Sequence, residues 1–100
     1  MIELLSTAGS SGAGAAISLP EQTETFTLFG VASANAASLM NVFIQVADST
    51  SGAWTNLSQL AVAPSGSEVK TLPDGIYVAM RAYMPDSPSP GNVTVKLYSD

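Results

Sequence analysis

From residue 39 to residue 47 the chain puts a large apolar side chain at every second position. Met40, Val42, Ile44 and Val46 fall on one side, and Asn41, Phe43 and Gln45 on the other. A period of two is what a half-buried strand needs, because successive side chains point to opposite faces of a sheet. The same alternation returns along the chain. Phe26 and Leu28 alternate with Thr25 and Thr27. Ile76, Val78, Met80 and Ala82 alternate with Tyr77, Ala79, Arg81 and Tyr83. Val93, Val95 and Leu97 alternate with Thr94, Lys96 and Tyr98. Shorter strand-like stretches cover residues 2–6, 17–19, 53–57, 60–62 and 68–72, while residues 31–38, small and polar, read as a connection.

Turn chemistry separates these segments. Asp48-Ser49-Thr50-Ser51-Gly52 reads as a hairpin loop, its glycine suited to positive φ. Pro64-Ser65-Gly66 closes another strand, and Leu72-Pro73-Asp74-Gly75 fits a type I turn. Residues 85–92 form a proline-rich loop with Pro85, Pro88 and Pro90. Seven to eight short strands and no convincing helix predict an all-β fold, a small antiparallel β-sandwich of Ig-like or jelly-roll-like kind. The 100 residues make one domain, and 46% apolar composition supplies its core, with Met40, Met80 and Met84 as filling. Residues 7–16 hold no side chain larger than threonine. Residues 1–16 are therefore expected to be a short strand plus a flexible arm, with the sandwich at 17–100. Removing 1–16 is expected to leave the sandwich folded and to weaken its binding to partners.

Composition narrows the chemistry. The chain has no histidine and no cysteine, so it lacks the commonest general base, thiol nucleophiles and thiolate metal sites. Catalysis is not expected. Glu21 and Glu24 are the closest carboxylate pair, but a glycosidase needs two carboxylates across a cleft. Asp48 stands alone in its loop, where calcium would need several carboxylates. Gly9-Ser10-Ser11-Gly12-Ala13-Gly14 lacks the lysine and the helix of a phosphate-binding loop. No metal or other cofactor is expected. Lys70, Arg81 and Lys96 are the only cations against eight carboxylates, a net charge of −5, which argues against nucleic-acid binding. No apolar run is long enough to span a membrane, and the first residues lack the basic and apolar regions of a secretory signal. The product is expected in the cytoplasm when made. Charged residues are only 11% of the chain, a low value that suits a surface packed against other subunits.

Binding residues are easier to nominate. Trp54, the single tryptophan, is either a plug at the core edge or a stacking platform. Tyr77 and Tyr83 share the face opposite Ile76 and Met80, and Tyr98 the face opposite Val95 and Leu97. If these two strands pair, the tyrosines and Arg81 form one outer patch of interface type. Otherwise they are ordinary cross-strand pairs on a solvated face.

With the strands placed, a family likeness emerges. Asn41-Val42-Phe43-Ile44-Gln45-Val46-Ala47-Asp48, the loop, and then Ala53-Trp54-Thr55-Asn56-Leu57 resemble a phrase of tailed-phage virion proteins. Residues 69–78 and 93–97 extend it. The ensemble, over residues 39–98, is similar to small β-sandwich capsid decoration (cement) proteins and to β-sandwich modules of phage heads and tails. The loop lacks the Asp-Gly pair usual at its tip, and the same phrase occurs in immunoglobulin-like modules that bind sugars. The resemblance implies no catalytic residue. It implies a structural virion protein on the capsid exterior, with the major capsid protein or other virion subunits as partners and a trimeric or dimeric self-assembly. A carbohydrate-binding module and a tail or baseplate component are the alternatives.

Overall fold

The computed structural model describes residues 2–19, 25–49, 52–73 and 77–99. Among them there are nine strands and no helix: β1 (Ile2–Ala8), β2 (Gly12–Ala13), β3 (Ile17–Ser18), β4 (Phe26–Ala32), β5 (Met40–Ala47), β6 (Thr55–Val62), β7 (Ser67–Thr71), β8 (Ala79–Met84) and β9 (Val93–Ser99). Sheet A runs β1-β9-β4-β7 and sheet B runs β2-β8-β5-β6, with β3 also on β8. Every pairing is antiparallel. The chain crosses between sheets at six of the eight connections between these strands, so the fold is a β-sandwich, as expected.

The alternation explains the core. Met40, Val42 and Ile44 of β5 are fully buried, as are Leu60 and Val62 of β6 and Met80, Ala82 and Met84 of β8. Sheet A answers with Phe26 and Leu28, and with Val93, Val95 and Leu97. Gly30 of β4 also faces inward. A β-carbon there would stand 3.1 Å from methyl groups of both Leu60 and Val62, so the two sheets close onto a bare backbone. No polar or charged residue is buried among those described.

Several elements differ from the sequence reading. Strand β4 continues through Val31 and Ala32, with Val31 paired to Ser67 of β7 and Thr94 of β9, and Ala32 to Val93. The stretches at 53–57 and 60–62 belong to one strand, β6. A bulge between Ile44 and Gln45 in its pairing with β5 resets the alternation, leaving Leu57 turned toward the core. Gly52 is not among the positive-φ glycines; a β-carbon there would meet the Asp48 carboxylate and Ser49. The turn at 72–75 lies partly outside the described residues, as do Glu21 and Glu24.

The N-terminal segment is paired rather than projecting. Strand β1 lies on β9 and sends Leu4 and Leu5 into the core, 1% and 5% exposed. Gly12 and Ala13 pair with Met84 and Tyr83, the Gly14 amide donates to the Ala82 carbonyl, and Ile17 and Ser18 pair with Met80 and Ala79. These contacts use the main chain, which small residues supply as well as large ones. Gly14 also passes so close to the Leu4 carbonyl that no side chain fits between them.

Candidate functional site

Sheet B presents its outer face on three strands. On β5 the residues out of phase with the core are Asn41, Phe43 and Gln45. On β8 they are Arg81 and Tyr83, and on β6 they are Asn56 and Gln59. Antiparallel register sets the neighbours: Phe43 stands opposite both Tyr83 and Gln59, and Gln45 opposite both Arg81 and Asn56. Directly opposed side chains on one face are within reach of each other.

A connected network forms there. The Arg81 guanidinium carbon lies 4.5 Å from the centroid of the Trp54 ring. That is a cation–π stack, and the long arginine stem covers the indole. Arg81 Nε donates to Gln45 Oε1 at 2.7 Å, and Gln45 Nε2 donates to Asn56 Oδ1 at 3.0 Å. The chain of contacts therefore spans β8, β5 and β6. A second amide pair runs beside it, Gln59 Nε2 to Asn41 Oδ1 at 3.0 Å. The bulge makes this possible, because it brings Asn56 rather than Leu57 opposite Gln45. The described partners of Arg81 are neutral, an aromatic ring and an amide, so its charge stays available to a ligand.

The nominated residues divide. Trp54, Arg81 and Tyr83 belong to this face. Tyr98 does not, because β8 and β9 lie in different sheets and the condition for a shared patch fails. Tyr98 sits on the outer face of sheet A, opposite Thr27. Tyr77 is not on an outer face either. Strand β8 starts at Ala79, so the alternation does not extend back to it. Val78 is exposed, and Tyr77 turns toward the core with its ring centroid 6.2 Å from that of Phe26 and its hydroxyl donating to the Pro73 carbonyl. Phe43 and the four amides were missed. Phe43 carried a signal, since its place in the β5 alternation already put it outside.

Other places offer less. A hollow of about 480 Å³ at one end of sheet B is lined by Val46, Asp48, Thr55 and Tyr77 among others, and Asp48 is the one carboxylate among the described residues that line it. No cluster of three potential metal ligands occurs among the described residues. No helix long and apolar enough to cross a membrane occurs among the described residues. A scan against protein-family models finds no match, and neither does a search of curated proteins.

Proposed function

We propose that this chain is a non-catalytic structural protein that docks on a larger protein assembly through the outer face of sheet B. Its place is the exterior of a tailed-phage capsid, where it stabilises the shell. The Trp54–Arg81–Gln45–Asn56 network carries this reading. Tryptophan and arginine are among the residues that most often anchor protein interfaces, and here the two are already stacked on each other, with Arg81 bonded to Gln45. Pre-organisation lowers the entropy lost on docking. The rest of the face is amide and aromatic, so little charge has to be desolvated. The net charge of −5 favours an outside position over contact with packaged DNA.

The test is co-sedimentation with shells assembled from the major capsid protein of the phage that encodes the chain. Wild type should pellet with the shells, and Arg81→Ala and Trp54→Ala should stay in the supernatant while keeping the wild-type circular dichroism spectrum. A wild type that never pellets, or variants that pellet equally, would overturn the proposal. A second reading has its own support: three aromatic side chains and four amides on one flat face also suit a neutral polysaccharide. In that case Trp54 emission shifts on adding such a polysaccharide, and shells have no effect.

A further inference from the structure

Strand β7 ends sheet A, and its outer side has no strand partner among the described residues. Its pairing with β4 fixes which groups point outward. The Leu72 amide donates to the Phe26 carbonyl and the Ala32 amide to the Gly66 carbonyl, so even-numbered residues bond inward to β4. Antiparallel pairing then turns the amides and carbonyls of Ser67, Val69 and Thr71 to the open edge. The side chains follow the other alternation. Val69 lies on the outer face beside Phe29 and is 61% exposed, the highest value among the exposed large apolar residues described. Glu68 and Lys70 lie on the opposite side, and Lys70 Nζ donates to the Gln59 carbonyl of β6 at 2.8 Å.

The strand reads Ser67-Glu68-Val69-Lys70-Thr71: polar, acid, apolar, base, polar. This pattern is complementary to itself when reversed. We propose that β7 is a homodimerisation edge, pairing antiparallel with β7 of a second copy about a two-fold axis at Val69. Val69 then exchanges main-chain hydrogen bonds with its counterpart, and Ser67 with Thr71 of the partner subunit. All of these are residues whose polar groups already face the edge. Glu68 meets Lys70 of the partner subunit twice, at the non-hydrogen-bonded positions where side chains approach closest. Sliding the register by two residues in one direction sets Glu68 against Glu68 of the partner subunit, and in the other Lys70 against Lys70 of the partner subunit. An odd slip turns the wrong polar groups together. One register survives. A lone lysine on an edge strand discourages pairing with any strand. Here the nearby glutamate converts that deterrent into a selection for a second copy. Of the edge strands, β1 carries only Glu3, and β2, β3 and β6 carry no charge, so none shares the pattern.

Such a two-fold stands perpendicular to the sheets. Both outer faces of sheet B then point the same way. The inference rests on the assembly reading for its purpose, but it uses the free main-chain edge of sheet A rather than the outer face of sheet B that carries Trp54.

The experiment is sedimentation equilibrium of the full chain up to about 1 mM. Wild type should show a monomer–dimer equilibrium. Lys70→Glu and Glu68→Lys each replace two attractive pairs with two repulsive ones and should weaken dimerisation about tenfold or more. The double swap E68K/K70E keeps the composition and the self-complementarity, and should restore it. An equimolar mixture of the two single variants should form heterodimers. Val69→Pro removes an outward amide that has no partner among the described residues, so it should leave folding intact and abolish the dimer. A monomeric wild type, or single reversals that dimerise as well as wild type, would overturn the inference. Trp54→Ala should leave the dimer unchanged. Shell binding without a dimer would sink this inference alone, and a dimer without shell binding would sink the docking proposal alone.

Discussion

Leu4 puts the N-terminal strand to a quantitative test. It lies on β1, the edge strand of sheet A beside β9, and is 1% exposed. Truncation to alanine removes a buried isobutyl group. The transfer term is roughly 1.5–3 kcal/mol, and the residual cavity brings leucine-to-alanine changes in cores to about 2–5 kcal/mol. An edge strand can settle partly into the space, so a loss near 3 kcal/mol is expected for Leu4→Ala. At this chain length about 1 kcal/mol corresponds to roughly 4–8 °C in melting temperature, which puts the shift near 12–24 °C. Deleting residues 2–16 removes Leu4, Leu5, the β1–β9 ladder and the Gly14 contact with β8 together. Two buried leucines alone are worth about 4–10 kcal/mol, comparable to the whole stability of an ordinary domain of this size. The truncated chain should therefore show no cooperative transition. Thermal melts followed by circular dichroism and by Trp54 emission measure both effects. If the truncated chain melted within a few degrees of the full one, the N-terminal strand would be an appendage and the burial argument would be wrong.

Other changes probe single features. Arg81→Ala uncovers the Trp54 ring and breaks the bond to Gln45, so tryptophan emission should move to the red and the urea midpoint should fall by the equivalent of about 1–2 kcal/mol; an unchanged spectrum would mean that the stack does not form in water. Gly14→Ala forces a methyl against the Leu4 carbonyl, and should cost about 1–3 kcal/mol of stability in a thermal melt, whereas a neutral result would show that residues 12–18 do not press on β1. Gly30→Val drives a branched side chain between Leu60 and Val62 and should destabilise at least as much as Gly14→Ala; stability equal to wild type would show a looser core than the one described.

How far the sequence leads depends on what each pattern encodes. Alternation encodes faces, and it placed Met40, Val42, Ile44, Phe26, Leu28, Val93, Val95 and Leu97 in the core, where they are buried. It does not encode which sheet a strand joins. Tyr83 and Tyr98 each sit on an outer face, but on opposite sides of the sandwich, because the chain crosses from sheet B to sheet A between β8 and β9. Nor does it encode where a strand begins: extending the β8 pattern back to Tyr77 overran its start at Ala79. The small residues at 7–16 suggested mobility because they offer no side chains to pack. Main-chain pairing needs none, and at Gly14 the fold uses the missing side chain. The amide network was hidden for a related reason. Gln45 and Asn56 meet only because a bulge skips Leu57, and a one-residue offset leaves no mark in composition.

The two surfaces gain meaning from their relative placement. The Trp54 face lies on one layer, and the β7 edge belongs to the other layer with its two-fold perpendicular to both. A dimer built on that edge presents two Trp54 faces to one surface. A single face offers a small, nearly neutral contact, which alone gives weak binding. Two faces on a rigid dimer turn the second contact into an intramolecular event, and overall binding can rise by about 10²–10⁴-fold without any new interaction. The low stability of each half is then useful, because subunits arrive singly and hold firmly only where the spacing of the surface matches the dimer. Val69→Pro separates these contributions. It leaves every side chain of the Trp54 face in place and should reduce retention on a repetitive surface by at least about tenfold, while Trp54 emission still reports the same weak single-site contact at high concentration. Full retention by this variant would mean that one face suffices and that avidity plays no part.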